Sequence, residues 1–233
     1  MRVAREGENG PLWVVAREQL GGRGRHGRVW HSPPGNLYAT LLLVDPGTPE
    51  VAPQLGFVAG VALAEAANDL VGRDVVRLKW PNDLLHDGAK LSGILLEATR
   101  RSDGAFVCVI GIGVNCASYP PDLPYAATHL SGIAGHAISP DDLHVQLDRA
   151  MTGWLVRWDR GRNFAAVRDA WLAHAAHLHR PVTVVVAGKT VEGRFETIDE
   201  TGRLIVATAT GPVAVDAGDV NFAPAARQPD AVS

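Results

Sequence analysis

The sequence predicts an α+β protein: a larger α+β domain over residues 1–179, a small all-β domain over 180–223 and a frayed Pro/Ala/Gln-rich tail over 224–233. Three observations carry this reading. Strand-like runs are interleaved with helical stretches up to about residue 179, whereas from Arg180 only short β-type runs remain, a few residues apart. Of the 233 residues 46% are hydrophobic and 20% charged, enough for a sizeable core and too apolar for global disorder.

Leu12–Ala16 (LWVVA) is a short apolar run that reads as a strand, and residues 36–44 (NLYATLLLV) have strand composition up to the turn Asp45-Pro46-Gly47. Residues 53–70 start with Pro, contain no further Pro, and carry Leu55, Val58, Ala62 and Leu63 at helical spacing. A strand over 75–80 stops at Pro81, with Asn82-Asp83 continuing the turn. Residues 91–98 and 105–114 read as two strands joined around Ser102-Asp103-Gly104. Helices follow over 141–159 and 164–178, the second opening after Asn163 as N-cap. In the last part, Pro181–Val186, 190–197, Leu204–Thr208 and 213–216 are β-type runs separated by turns at Ala187-Gly188, Asp199 to Gly202 and Thr210-Gly211. That is the spacing of a small antiparallel barrel or sandwich.

A net charge of −3 rules out a global basic field for nucleic acid or anionic lipid, so polyanion binding must come from a local cluster. The longest nearly unbroken apolar run, 55–64, is far short of a bilayer span, and MRVAREGENG has no apolar core of a secretory signal. Cys108 and Cys116 lie in one apparent strand, about 26 Å apart if fully extended, and read as buried thiols of a reducing compartment. A soluble cytoplasmic protein is expected, with no nucleic-acid or membrane partner.

Gly22-Arg23-Gly24-Arg25-His26-Gly27 matches the dinucleotide pattern G-x-G-x-x-G, but the chain runs on into Val29-Trp30-His31-Ser32-Pro33-Pro34-Gly35, which cannot form the required helix. The Rossmann reading fails on context. Interleaved glycines let backbone approach a ligand, and Arg23, Arg25 and Arg28 offer guanidinium donors suited to carboxylate or phosphate. Taken alone, the loop reads equally as a polyphosphate site or as a solvated basic turn. A second cluster, Lys79-Trp80-Pro81-Asn82-Asp83, sets a cation, an aromatic, a forced turn and a carboxylate at a strand end. Lys90 then enters the apolar run Lys90-Leu91-Ser92-Gly93-Ile94-Leu95-Leu96-Glu97, with a Gly three residues on. Gly111-Ile112-Gly113-Val114-Asn115 ends another strand in small residues and an amide. Their joint occurrence favours the binding-site reading over snorkelling lysines and core tryptophan.

The set GRGRHGRVW, KWPNDLL, KLSGILLE and GIGVN, in that order, resembles the catalytic domain of biotin protein ligases over about residues 13–222. The loop, KWPND and KLSGIL blocks together are specific to that family. The resemblance implies a mixed β-sheet with helices followed by a small SH3-like β-barrel. It also implies activation of biotin by ATP with Mg²⁺ to biotinyl-5'-AMP, and transfer to a lysine of an apo biotin carboxyl carrier protein of the acetyl-CoA carboxylase type. A homodimer is a further implied assembly. Lipoate or octanoate ligation on the same fold is an alternative that the loop sequence argues against; a non-catalytic biotin- or nucleotide-binding regulator is another.

By resemblance, Gln19, Arg23, Gly24 and Arg25 would contact biotin, and Arg23 and Arg25 would also steady the ATP phosphates. Lys90 would sit between the biotin carboxylate and the α-phosphate. Lys79, Asn82 and Asn115 would line the nucleotide side, and Asp83 would hold Mg²⁺ through ATP or orient the reactants. Lys90, Arg23 and Asp83 are thus the implied catalytic groups. Gly93 would let the strand close on biotin, with Trp30, and Trp80 as a second candidate, as apolar walls. Family members normally open with another strand and a Ser/Thr-rich turn ending in Asn. Nothing upstream of Leu12 supplies that motif, so an incomplete biotin site, or a start upstream of Met1, is expected. Family members with an N-terminal DNA-binding helical domain exist, and none is expected here.

His174, His177 and His179 do not keep to one helical face, which argues against a zinc site. Trp154, Trp158 and Trp171 fall at helix-compatible spacing and are expected in the core.

Overall fold

The computed structural model describes residues 7–186, 189–216 and 219–222. They divide into two compact units, Met1–Ala176 with Glu200–Gly202, and His177–Asp199 with Arg203–Ser233. The expected tail and the Ala187-Gly188 turn lie outside the described residues. So does most of the segment ahead of Leu12; its residues 7–11 form no helix or strand.

The first unit is built on a six-stranded sheet of β1 (Leu12–Ala16), β2 (Leu37–Val44), β3 (Arg77–Lys79), β4 (Asp83–His86), β5 (Ala89–Arg100) and β6 (Phe106–Val114), in the order β1-β2-β6-β5-β4-β3. Its ladders are antiparallel, and the parallel component of this mixed sheet is two single bridges, Leu78↔Ala175 and Lys90↔Ala127. The helix α1 (Gln54–Val71) packs on β3, β4, β5 and β6, with Leu55, Val58, Ala62 and Leu63 all 0% exposed as their spacing predicts. A short α2 (Leu130–Ala134) precedes α3 (Pro140–Trp158), which packs on α1 and β2. Trp154 and Trp158 are buried there, donating to Glu65 Oε2 and Gln54 Oε1 (each 2.7 Å); Trp171 of α4 (Phe164–Ala173) is 1% exposed.

Several boundaries differ from the sequence reading, each for a local reason. The start of α3 shifts to Pro140 because Ser139 caps it, its Oγ accepting from Asp142 N (3.0 Å). Asn163 stands before α4 but does not cap it: its Nδ2 donates to Arg157 O (3.0 Å). That helix ends at Ala173, not 178, because the following residues pair with β3, Leu78 N donating to His174 O and Ala176 N to Leu78 O. The strand expected over 75–80 shrinks to Arg77–Lys79, since Asn68 Oδ1 takes the N–H groups of Val75 and Val76 (3.0 and 2.8 Å). The unpredicted β4 forms a hairpin with β5 through Asp87 and Gly88, both at positive φ (48° and 78°), the geometry an Asp-Gly turn favours.

The second unit is a five-stranded antiparallel sheet, ordered β10-β9-β8-β7-β11, consistent with the small SH3-like barrel expected. Its strands are β7 (Pro181–Val186), β8 (Lys189–Ile198), β9 (Leu204–Thr208), β10 (Gly211–Val215) and the unpredicted β11 (Asp219–Phe222). Val184, Phe195, Ile198, Leu204 and Val206 form its core, each 0% exposed. Among the described residues no helix is long and apolar enough to cross a membrane.

Asn36 is 3% exposed and holds the start of β2 to the turn after β6, its Oδ1 accepting from Cys116 N (2.8 Å) and Ala117 N (2.9 Å). Asn36→Ala should cost about 2–4 kcal/mol by leaving buried N–H groups unpaired. A urea midpoint unchanged from wild type would refute this. Cys108 and Cys116 are free and buried, Cys116 just past the end of β6, and burial pushes their thiols up to about 11 and about 12. Because the thiolate is the reactive form, both should resist an aromatic disulfide reagent at pH 8 in the native protein and react in denaturant. Rapid native labelling would contradict the burial.

Candidate functional site

Cross-strand register sets one residue from each of the six strands in a single row: Lys79, Asp83, Gly93, Gly113, Tyr38 and Ala16. Opposed residues share a sheet face, so the row presents a cation and a carboxylate at one end and two facing glycines in the middle. Their strand neighbours Ile94, after Gly93, and Ile112, before Gly113, turn to the opposite face with α1 and are each 3% exposed. Gly111, two residues before Gly113, extends the bare floor.

Lys90 joins this face through a bulge. In β4–β5, Leu84 faces Ser92 but Leu85 faces Lys90, so Leu91 is an extra residue. In a regular strand Lys90 and Gly93, three apart, would point to opposite faces; the extra residue re-aims the lysine. Its Nζ lies 2.8 Å from Asp83 Oδ1, with both side chains about one-fifth exposed (22% and 20%). That oxygen is buried and has no aligned hydrogen bond, so the contact is an ion pair and the lone pairs of the oxygen are not matched by a well-directed donor. The bulged backbone finds its own partners: Lys90 N donates to Ala126 O (2.8 Å) and Thr128 N to Lys90 O (2.9 Å).

Trp30 lies over the glycine floor. A Cβ on Gly113 would stand 2.6 Å from its Nε1, and one on Gly93 would stand 3.4 Å from its Cζ3. The loop that carries it closes as a hairpin, Trp30 N donating to Gly22 O (3.0 Å) and Gly24 N to Arg28 O (2.8 Å), with His26 and Gly27 at positive φ forming the tip. A side chain at Gly22 would meet Trp30 O at 2.4 Å, so this glycine serves a backbone approach. Gln19 sits at the base, its Oε1 accepting from Ser32 Oγ (2.9 Å).

Arg25 Nη1 donates to Asn82 Oδ1 (3.1 Å), and Asn82 in turn holds β5, donating to Ile94 O and accepting from Ile94 N (both 2.9 Å). Thus Lys79, Asn82, Asp83, Lys90, Gly93 and Arg25 converge; Gln19 and Gly24 stand in the loop, and Arg23 is exposed on it. Asn115 is 6% exposed and its Nδ2 donates to Thr128 O (3.0 Å), holding the segment beside Lys90. Trp80 is not a wall of this site: it is 2% exposed and donates to Gly202 O (3.0 Å), a residue of the same unit.

Gly113 belongs to the Gly111–Asn115 motif that the sequence singles out, though without a role of its own; at a spacing of two, Gly111 and Gly113 fall on one strand face. Tyr125, in the aperiodic stretch Ser118 to Thr128, escaped the sequence reading; its ring centroid lies 5.6 Å from Lys90 Nζ. Burial first, then the Asp83 charge, holds its hydroxyl above the usual tyrosine range, while Arg28 opposes them.

Gly113→Ala should displace the Trp30 indole and red-shift the tryptophan emission, and Trp30→Phe should abolish that shift. Unchanged emission would mean that the indole does not rest on the glycine floor.

Family comparison agrees with this geometry. Residues 4–115 match the biotin/lipoate A/B protein ligase family, and residues 177–222 match the biotin protein ligase C terminal domain. A biotin–[acetyl-CoA-carboxylase] ligase of Paracoccus denitrificans is 40% identical over 222 residues, 93% of this chain and 92% of that protein. The fold matches the biotin protein ligase of Aquifex aeolicus in complex with biotin and ATP, with a TM-score of 0.82 at 24% identity over 95% of this chain and 93% of that one. It also matches the Leishmania major biotin protein ligase in complex with biotinyl-5-AMP, with a TM-score of 0.62 at 26% identity over 88% of each chain. With its row of cation, carboxylate and bare glycine floor, and with these relatives over nearly its whole length, this chain belongs to the biotin protein ligases of the biotin/lipoate A/B protein ligase family.

Proposed function

We infer that the chain is an ATP-dependent ligase that converts biotin to biotinyl-5'-AMP and transfers the biotinyl group to a lysine of a biotin carboxyl carrier protein. The observation that carries this reading is Lys90, re-aimed by the bulge onto the face that holds Asp83 and the Gly93–Gly113 floor. The 40% identity to the Paracoccus protein, whose name specifies biotin and acetyl-CoA carboxylase, supports the choice of substrate and carrier.

In the first step a biotin carboxylate oxygen attacks the α-phosphorus of ATP, and the bond to the bridging oxygen of pyrophosphate breaks. Two anions must approach, and charge builds on the phosphoryl oxygens. Lys90 lowers both barriers by standing between the reactants, while Arg23, Arg25 and Lys79 would carry the phosphates and Asn82 would hold Arg25 in place. The glycine floor lets the biotin ring lie against the strand backbone, with Trp30 as its apolar wall. Mg²⁺ fits the donor set through Asp83, whose buried Oδ1 lacks an aligned donor; one carboxylate with substrate phosphates is the usual arrangement for this ion. When bound there it would neutralise charge on the triphosphate. In the second step the neutral amine of the carrier lysine attacks the acyl carbon and AMP leaves; Asp83 would orient that amine. The free, buried thiols support a reducing, cytoplasmic setting.

With Mg²⁺ and ATP, biotin should elicit pyrophosphate release. Release with lipoate and none with biotin would overturn the substrate, and release with neither would favour a binding protein. Lys90→Ala should lower first-step turnover about 10²-fold with little loss of stability. Unchanged turnover would make Lys90 structural.

A further inference from the structure

Lys90 is held by more than its carboxylate. Its Nζ lies 5.7 Å from the centroid of the Trp30 ring and 5.6 Å from that of Tyr125, both within cation–π range. The two partners differ in kind. Asp83 neutralises the ammonium it binds and so competes with any incoming anion, whereas an aromatic face attracts the ammonium and leaves its charge available. Tyr125 is brought there by backbone: Lys90 N–H and C=O bond Ala126 and Thr128, which fixes the residue before Ala126 beside the lysine head. Asn115 fastens the same segment through Thr128 O. Tyr125 is 46% exposed, so the segment does not present it to a core. Ring and carboxylate thus flank the same ammonium, at 5.6 Å from the ring centroid and 2.8 Å from Asp83 Oδ1.

We propose that Tyr125 is a positioning residue of the first step: its ring keeps the Lys90 ammonium over the reacting face when an anionic substrate draws it off Asp83. The inference rests on the ligase reading of the same site and adds a residue to it. The ring, not the hydroxyl, does this, so Tyr125→Phe should behave like wild type and Tyr125→Leu should not.

The test has two arms. In biotin-dependent pyrophosphate release, Tyr125→Leu should lower kcat about tenfold with a smaller change in KM and an unchanged Tm, and Tyr125→Phe should stay within about twofold of wild type. Because the effect runs through the lysine, Tyr125→Leu should add no more than about twofold in a Lys90→Ala background. The second arm needs no substrate. The chain has three lysines, Lys79, Lys90 and Lys189, so a lysine Hε/Cε correlation spectrum resolves Lys90, assigned by its loss in Lys90→Ala. Its Hε signals should lie upfield in wild type and Tyr125→Phe and move downfield in Tyr125→Leu. A wild-type kcat in Tyr125→Leu, an equal effect without Lys90, or an unmoved Lys90 signal would overturn the proposal. If wild type releases no pyrophosphate with biotin, the ligase reading falls and the spectrum still judges the contact.

Discussion

An extra residue in β5 governs the site. Leu91 has no opposite number in β4, and this shift of one position lets a lysine and a glycine three apart share a sheet face. Side chains in a strand alternate strictly, so no rotamer change could achieve the same result from a regular ladder. The rest follows from that placement. Asp83 meets Lys90 because Asp83 lies opposite Gly93; Trp30 can settle because both Gly93 and Gly113 lack a side chain there; and the 126–128 segment docks on the edge of β5 at Lys90, beyond the end of β6 at Val114.

The surroundings keep this arrangement stiff without crowding it. Polar side chains in the first unit serve mainly as fasteners: Asn36 and Asn115 bind turns around the end of β6, Asn68 binds the chain entering β3, and Asn82 joins the arginine loop to β5. Each satisfies backbone or guanidinium groups that would otherwise face a low-dielectric interior unpaired. The charged groups are then left for chemistry. An amide can fasten without adding net charge, which suits a site whose purpose is to gather anions.

The parts of the fold legible in sequence were those with a strong period or a strong stop. The spacing of Leu55, Val58, Ala62 and Leu63 predicts α1 to within a residue, and the Val-rich runs predict β7 and β9 at their observed bounds. The failures lie where tertiary pairing competes with local preference. Residues 174–176 have helical composition but pair with β3, and Val75 and Val76 have strand composition but give their N–H groups to Asn68. At the site, Lys90, Asp83, Asn82 and Arg25 were legible because motifs of unusual composition carry them. Tyr125 was not, because its placement depends on a backbone bridge between Lys90 and Ala127 that leaves no compositional trace. Trp80 misled for the opposite reason: it stands inside the motif, yet packs in the core.

The bonds from Lys90 N to Ala126 O and from Thr128 N to Lys90 O have a bearing on dynamics as well as on shape. Together they form one isolated bridge, not part of a ladder, so the 126–128 segment can open locally while the six-stranded sheet stays intact. Such an opening would free the Lys90 amide and, in the same event, withdraw the tyrosine from its ammonium. The deuterium-uptake rate of one backbone amide would therefore report how often the working lysine loses its support, on a scale set by local rather than global unfolding.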